Sequence, residues 1–277
     1  MDRSVVRPLT GDSSAAVAVE KPAFLSVLGL SKHYGGIRAL NEITFHLEAN
    51  RIVSMIGPNG AGKTTLINVV TGIYFPDSGE VLFQGENIAG LPAHSIASKG
   101  IGRTFQLEEL FGSLTVLENA LVGCHVRSKS GMLGCGFETA SARAEEKQIR
   151  NEATETLATL GLENKASRSI SSLPLGERKL VGIARALCMK PKLLMLDEPV
   201  GGLAAHEVEK FMTLVQRLSK KGMTIFIIEH NMPFVMSISE RVIVLDQGSK
   251  IAEGSPEEVK NNEKVIEAYL GEEVREH

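Results

Sequence analysis

The chain has 277 residues, of which 43% are hydrophobic and 23% are charged, and its formal net charge is −3. These proportions are ordinary for a globular protein that buries a sizeable core, and the charge gives no reason to expect nucleic-acid binding, which favours concentrated basic patches. No apolar run approaches the ~18 residues that a membrane-spanning helix needs, so the composition also argues against an integral membrane protein.

The N-terminal segment, residues 1–22, mixes serine, alanine, valine, proline and charge without a helical or strand period. We therefore expect it to be a mobile leader. Arg3 and Arg7 are not followed by a continuous apolar region, which argues against a signal peptide. The chain contains three cysteines without metal-ligand spacing, Cys124, Cys135 and Cys188. We interpret them as reduced thiols and expect a cytoplasmic protein.

Short strands are predicted in the next part of the chain. The residue pattern indicates strands at 24–30, 43–47 and 80–85, with the Gly35-Gly36 pair as a turn between the first two. We expect these strands to form a small, mostly antiparallel sheet. From about residue 107 to about 175 the pattern changes to helices interrupted by glycines, which predicts a helical subdomain.

Strand patterns resume at residues 193–196 and 224–228, which are continuous apolar runs typical of buried parallel strands. Residues 211–218 between them have helical spacing, and the order strand, helix, strand predicts a parallel, doubly wound α/β core. Residues 241–245 and 250–253 flank a turn and predict a C-terminal hairpin.

The most informative motif follows the apolar run 51–56 and precedes a helical pattern at 66–70. It has the spacing GxxxxGK[ST] and consists of Gly57, Pro58, Asn59, Gly60, Ala61, Gly62, Lys63, Thr64 and Thr65. Such a glycine-rich loop between a strand and a helix wraps main-chain N–H groups around a polyphosphate. Lys63 is expected to reach the terminal phosphates, and the Thr64 hydroxyl to ligate Mg²⁺. The motif predicts a nucleoside triphosphate site in a P-loop NTPase core.

Two acids follow the strand predicted at 193–196. Ligand sites in open parallel sheets lie at the carboxyl ends of the strands, so Asp197 is predicted to orient Mg²⁺, directly or through water. Glu198 is predicted to polarise the attacking water as a general base. His230 follows the strand at 224–228 and is expected to bond the γ-phosphate and hold that water.

Taken in order, these elements resemble the ATP-binding subunit of an ABC transporter from about Leu28 to the C-terminus. The resemblance implies a single nucleotide-binding domain at 23–277, with the helical subdomain inserted at about 107–175 and a C-terminal hairpin with helices at about 241–277. It implies that Tyr34 stacks on adenine and that Gln106, in Arg103-Thr104-Phe105-Gln106, touches metal and water. His230 matches the switch histidine of the family.

The segment Leu173-Pro174-Leu175-Gly176-Glu177 stands where the family has LSGGQ. In the family two cassettes pack head to tail, so the resemblance implies that Leu175, Gly176 and Glu177 contact the partner's ATP. Pro174, Leu175 and Glu177 replace a serine, a glycine and a glutamine of the pattern, which puts the cross-dimer contact in doubt. After Gly176, the residues Leu180, Ile183, Ala184 and Leu187 are predicted to share one helix face.

More narrowly, the chain resembles the branched-chain amino acid uptake branch, as in Leu114-Thr115-Val116-Leu117-Glu118-Asn119 and Glu229-His230-Asn231-Met232. The expected cofactors are ATP and Mg²⁺. The expected partners are transmembrane permease subunits, a second cassette in a homo- or heterodimer and, indirectly, a solute-binding protein, and no nucleic acid is expected. The chain would dock on the cytoplasmic face of the membrane.

Of four alternatives, one stays open and three are disfavoured. Urea and short-amide importers share much of the pattern, so the sequence leaves the solute open. A soluble ABC ATPase acting on ribosomes or DNA usually has two cassettes or a long coiled coil, which this chain lacks. A P-loop GTPase would need a guanine-reading NKxD motif, and Asn164-Lys165-Ala166-Ser167 lacks the aspartate. A non-hydrolysing regulatory half is disfavoured by the intact Glu198.

Overall fold

The structure, a computed structural model, describes residues 23–104, 110–125 and 140–273. The predicted leader at 1–22 lies outside these residues, as do Gln106 and Cys135. The strands are β1 (Leu25–Tyr34), β2 (Ile37–Leu47), β3 (Ile52–Ile56), β4 (Ser78–Phe83), β5 (Glu86–Asn87), β6 (Ile101–Arg103), β7 (Leu193–Asp197), β8 (Thr224–Ile228), β9 (Arg241–Asp246) and β10 (Ser249–Gly254).

The helices are α1 (Lys63–Val70), α2 (Ala93–Lys99), α3 (Val116–Cys124), α4 (Ala140–Thr159), α5 (Leu175–Cys188), α6 (Ala205–Lys220), α7 (Met232–Ile238), α8 (Pro256–Lys260) and α9 (Glu263–Glu273). Short 3₁₀ turns at Glu163–Lys165 and Ile170–Ser172 lead from α4 into α5. The predicted strands and helical segments are found near their expected positions, whereas β5, β6, α2 and α7 were not predicted.

Two sheets carry the site. One is antiparallel, with the order β2-β1-β4-β5, which confirms the predicted small sheet. The other has the order β10-β9-β3-β8-β7-β6, and its strands pair in parallel except for β10, which pairs antiparallel with β9. This arrangement confirms the parallel core and the C-terminal hairpin. Because β9, β3, β8 and β7 run in one direction, their carboxyl ends lie along one edge.

Each central strand is buried on both faces, because it separates two hydrophobic cores. In β8, Phe226 and Ile228 point into the core shared with β1, β2 and α1, whereas Ile225 and Ile227 point into the core shared with α3 to α6. Strands with two buried faces read as continuous apolar runs rather than as alternating ones. The ring of Phe226 stacks on Phe45 of β2 at 5.8 Å, and thus joins the two sheets.

The predicted stripe of α5 is only part of its buried surface. Ile183 and Ala184 are buried, and Leu180 and Leu187 pack half-buried against the same core. Further residues of the helix are also buried, namely Val181, Gly182, Ala186 and Cys188. The helix is buried more widely than a surface helix because α3 and α4 cover it in addition to the sheet.

Candidate active site

The glycine-rich loop at 57–62 connects β3 to α1, as predicted. β3 is buried along its whole length, so the chain leaves the core only after Ile56. Gly62 has a φ of 102° and caps α1, whose first residue is Lys63. The loop therefore lies against free N–H groups and the positive end of the helix dipole, an arrangement that binds phosphates.

The ammonium group of Lys63 lies over this loop. Its Nζ donates to the carbonyl oxygens of Gly57 at 2.6 Å and Pro58 at 2.8 Å, and the residue is only 8% exposed. Asn59 and Thr64, by contrast, are exposed at the rim. A polyphosphate entering the loop would meet a cation that the loop's own carbonyls already hold.

Segments that are distant in the sequence pack against the loop and hydrogen-bond to it. A Cβ added at Gly62 would lie 2.4 Å from the carbonyl oxygen of Ala39 in β2, so only glycine fits this position. Gly248, in the β9–β10 turn, donates its N–H to Ala61 O at 3.1 Å and accepts from Asn41 N–H at 2.8 Å. The C-terminal hairpin is thus wedged between β2 and the phosphate loop.

Tyr34 ends β1 close to this loop. Its hydroxyl hydrogen-bonds to the Thr65 side chain, and burial, followed by the neighbouring Tyr74, raises its pKa. Its ring packs edge-to-face on Tyr74 at 5.9 Å, and Lys32 Nζ lies 5.6 Å from its centroid. The ring is 42% exposed, so it can offer a face to a flat ligand next to the phosphate loop.

Asp77 fixes the segment that precedes Tyr34. Its carboxylate accepts from Lys32 Nζ at 2.8 Å and from the His33 N–H at 2.6 Å. These two bonds, with the bond to Lys32 first, lower the pKa of Asp77 to about 2. The hydrogen bonds of Asp77 therefore fix the two residues that precede the Tyr34 ring.

Asp197 ends β7 and is almost fully buried. Its Oδ2 accepts from Nη2 of Arg103 at 2.8 Å, and Nη1 of the same arginine donates to Asn68 Oδ1 at 2.7 Å. Arg103 ends β6, the strand that the sequence did not reveal, and Asn68 belongs to α1. One guanidinium thus connects the predicted metal-orienting acid to the helix that carries the phosphate loop.

Glu198 and His230 lie next to each other after β7 and β8. Glu198 has a φ of 45°, an uncommon conformation for a residue with a side chain. Its N–H donates to Ile228 O at 2.9 Å, which ties it to the end of β8. Its Oε1 lies 4.0 Å from Nδ1 of His230, and both side chains are open to solvent.

A second glutamate, which sequence reasoning did not single out, lies below this pair. Glu229 is fully buried, and its Oε1 accepts from the Val200 N–H at 2.9 Å. Its Oε2 accepts from the N–H groups of His230 and Asn231 at 2.9 and 3.0 Å. Lys179 of α5 donates from Nζ to the carbonyl oxygen of Glu198 at 2.8 Å.

The segment in the LSGGQ position forms the start of α5, with Pro174 as an N-cap that has no side-chain cap hydrogen bond. A Cβ added at Gly176 would lie 2.5 Å from Oε1 of Glu207 in α6. Glu177 forms an ion pair with Lys165. The start of α5 therefore lies close to α6 and is paired with the turn that follows α4.

Oxygen ligands for Mg²⁺ are present in the Thr64 hydroxyl and the Asp197 carboxylate, which are donors of the kind that this ion prefers. Among the described residues, no group of three or more His, Cys, Asp or Glu side chains could hold a metal ion. The residues therefore fit an ion that takes its remaining ligands from phosphates and water. Within the same residues, no helix has the length and apolarity needed to cross a membrane.

Arg103, Lys179 and Glu229 are the site residues that sequence reasoning missed. Arg103 lies three residues before Gln106, in a motif already singled out. Glu229 follows an apolar strand just as Asp197 ends one. An acid directly after a buried strand was therefore the available signal for Glu229. Lys179 gave no signal, because its contact depends on how α5 packs against the β7 loop.

Comparison with known proteins agrees with this geometry. A family model described as ABC transporter matches residues 40–201, and one described as branched-chain amino acid ATP-binding cassette transporter matches residues 249–275. The high-affinity branched-chain amino acid transport ATP-binding protein BraF of Pseudomonas aeruginosa is 42% identical over 249 residues, which cover 90% of this chain and 98% of BraF.

Solved structures show the same fold. A nucleotide-free ATP-binding cassette from an ABC transporter has a TM-score of 0.79 and 33% identity, covering 89% of this chain and 98% of that one. A dimeric bacterial ABC transporter cassette has a TM-score of 0.71 and 27% identity, covering 84% and 98%. The chain therefore belongs to the ABC transporter family, as an ATP-hydrolysing, ATP-binding subunit related to those of branched-chain amino acid transport.

Proposed function

We propose that this chain hydrolyses ATP between the phosphate loop and Glu198 in order to drive the uptake of branched-chain amino acids. The observation that carries this proposal is the strand order. β3, β8 and β7 are parallel neighbours, and the phosphate loop, His230 and Glu198 follow their carboxyl ends in that order. A triphosphate bound to the loop would extend its terminal phosphate toward the acid and the histidine.

Each predicted residue then has a distinct role. Main-chain N–H groups of residues 57–65 and the ammonium of Lys63 bind the phosphates, and Tyr34 offers its ring to the adenine. Thr64 and Asp197 would hold Mg²⁺, Asp197 directly through its second oxygen or through water, because Arg103 occupies Oδ2. The ion supplies charge neutralisation of the phosphate oxygens when it is bound.

Glu198 acts as the general base. Its exposed carboxylate takes a proton from a water molecule, whose oxygen forms a bond to the γ-phosphorus while the bond to the ADP oxygen breaks. The products are ADP and inorganic phosphate. His230 donates a hydrogen bond to a γ-phosphate oxygen and keeps the water in line. A correctly placed base of this kind contributes a factor of about 10²–10⁴ in rate.

A second cassette completes the site. The N-terminus of α5 carries Leu175, Gly176 and Glu177, and its dipole would point at the ATP of the partner. The dimeric structure of a related cassette supports this arrangement. We propose that the dimer docks on permease subunits at the cytoplasmic face of the membrane, with Gln106, outside the described residues, touching metal and water. A solute-binding protein would deliver the amino acid to the permease.

Two variants test the hydrolytic site. Glu198→Gln should reduce turnover at least 100-fold and trap an ATP-bound dimer in size-exclusion chromatography. Lys63→Ala should abolish binding of a fluorescent ATP analogue. Normal turnover by Glu198→Gln, or full turnover by a strictly monomeric preparation, would contradict the proposal. Membrane vesicles that contain the co-purified permease and binding protein should accumulate leucine, and accumulation of urea instead would assign a different solute.

A further inference from the structure

Glu229 binds together the two loops that carry the proposed hydrolytic residues. It follows β8 and is fully buried, yet its carboxylate has three main-chain hydrogen bonds. One comes from Val200, two residues after Glu198, and the others come from His230 and Asn231. A buried carboxylate is tolerated only with such partners. Its position therefore fixes the backbone of the Glu198 loop relative to the backbone of His230.

Lys179 contacts the same loop from helix α5. It lies in α5, five residues after Pro174, and its ammonium donates to the Glu198 carbonyl at 2.8 Å. Burial lowers the pKa of Lys179, while the charges of Glu229 and Glu198 oppose this shift. The lysine is half-buried and faces two acids, so it is held in one orientation by both charge and hydrogen bonding.

Glu198 needs such support because of its backbone. Its φ of 45° lies in the left-handed region, where a residue with a Cβ is strained. The surrounding contacts must maintain this conformation. The Ile228 carbonyl holds its N–H, and Lys179 holds its carbonyl. Removing the ammonium would let the peptide after Glu198 rotate and the carboxylate leave its place beside His230.

We propose that Lys179 and Glu229 are positioning residues for ATP hydrolysis. They connect helix α5, which begins at the LSGGQ position, to Glu198 and His230 of the same chain. This inference rests on the proposed roles of Glu198 and His230. Because α5 would contact the partner's nucleotide, a shift of the helix on ATP binding would pull directly on the backbone of the hydrolytic acid. The two ATP sites would thereby be coupled within one chain.

Steady-state kinetics of the full-length chain with its partner cassette test the proposal. Lys179→Met keeps the length of the side chain but removes the donor, and should lower kcat about 10- to 100-fold while the Kd for Mg-ATP changes less than about twofold. Lys179→Arg keeps a donor and should restore most of the rate. Lys220→Met, which removes an exposed charge at the end of α6, is the matched control and should behave as wild type.

Glu229→Gln should act in the same way, because an amide presents N–H groups to backbone N–H groups and leaves at least one of them without an acceptor. If this variant does not fold, the Lys179 pair decides alone. A lower melting temperature with unchanged kcat in Lys179→Met would assign a purely structural role and overturn the proposal. An increased Kd with unchanged kcat would overturn it as well.

A further comparison separates support within the chain from contact with the partner's ATP. In a Glu198→Gln background, adding Lys179→Met should leave ATP-driven dimer formation intact, because the lysine acts on its own chain's acid. Loss of that dimer would show that Lys179 serves the partner's nucleotide, and would overturn the inference. Normal hydrolysis by Glu198→Gln alone would instead refute the proposed role of Glu198, which keeps the two failures distinct.

Discussion

Arg103 and Asp197 form a buried ion pair, with Nη2 and Oδ2 2.8 Å apart and side chains that are 7% and 5% exposed. The arginine ends β6 and the aspartate ends β7. The pair therefore joins the carboxyl ends of these two neighbouring strands of the parallel sheet. Such a pair is expensive to break, because either partner alone would be an uncompensated buried charge.

Replacing Arg103 with methionine should therefore destabilise the fold by about 3–5 kcal/mol. Urea unfolding would measure the loss. Arg51→Met is the control, because Arg51 pairs with Glu240 at an exposed position and should have little effect. Equal stability changes for the two variants would contradict the role assigned to the buried pair.

The exposed ring of Tyr34 predicts an effect of mutation on ATP affinity that depends on the base. Tyr34→Ala should weaken ATP binding on the order of tenfold or more, since base stacking on an aromatic ring contributes about 1–3 kcal/mol. Tyr34→Phe keeps the ring and should bind nearly normally. Tripolyphosphate, which lacks a base, should bind all three proteins equally in calorimetric titrations. A parallel loss of tripolyphosphate binding would show that Tyr34 shapes the phosphate loop instead.

Two helical glycines should respond in opposite ways to alanine. Gly182 in α5 has no atom within 4 Å of an added Cβ, so Gly182→Ala should stabilise by about 0.5–1 kcal/mol through its helix propensity. Gly123 in α3 would place a Cβ 1.9 Å from the carbonyl oxygen of Arg185, so Gly123→Ala should destabilise by about 1–3 kcal/mol. Urea unfolding compares them, and the same sign for both would refute this account of the α3–α5 contact.

The hydrogen bonds of the Asp77 carboxylate predict that the free energy of unfolding depends on pH. Its pKa is lowered to about 2 from 3.8, so the folded protein binds the proton less readily than the unfolded chain. The stabilisation is complete above about pH 4, and it is lost as the pH falls toward 2. The difference in unfolding free energy between wild type and Asp77→Asn should therefore be present at pH 5 and shrink as the pH falls from about 4 toward 2. A difference independent of pH would contradict this assignment.

Local sequence patterns were sufficient for much of the fold. The glycine spacing at 57–62 with an apolar run before it predicts β3, the loop and α1, because a buried strand, a glycine-rich turn and a helix start each have a recognisable local residue pattern. The apolar runs of β7 and β8 predict buried parallel strands for the same reason. By contrast, Ile101–Arg103 is too short to show a period, and α2 buries only Ile96, so neither element had a recognisable pattern.

The contacts within the site were harder to predict than its members. Asp197, Glu198 and His230 could be placed because each ends or follows a buried strand. Their partners come from elsewhere in the chain: Arg103 is 94 residues from Asp197, and Lys179 is 19 residues from Glu198. Such pairings depend on the order of strands in the sheet and on the packing of α5, which no local pattern encodes.

The contacts of Gly248 with the phosphate loop and β2 have a consequence for the order in which the site is assembled during biosynthesis. During translation, residues 57–62 leave the ribosome long before the β9–β10 turn that donates to Ala61 and accepts from Asn41. The nascent chain therefore carries its nucleotide loop without one of its braces until nearly all of the protein has been made. Both hydrogen bonds can form only after the C-terminal hairpin has been made, so a chain truncated before Gly248 would lack them.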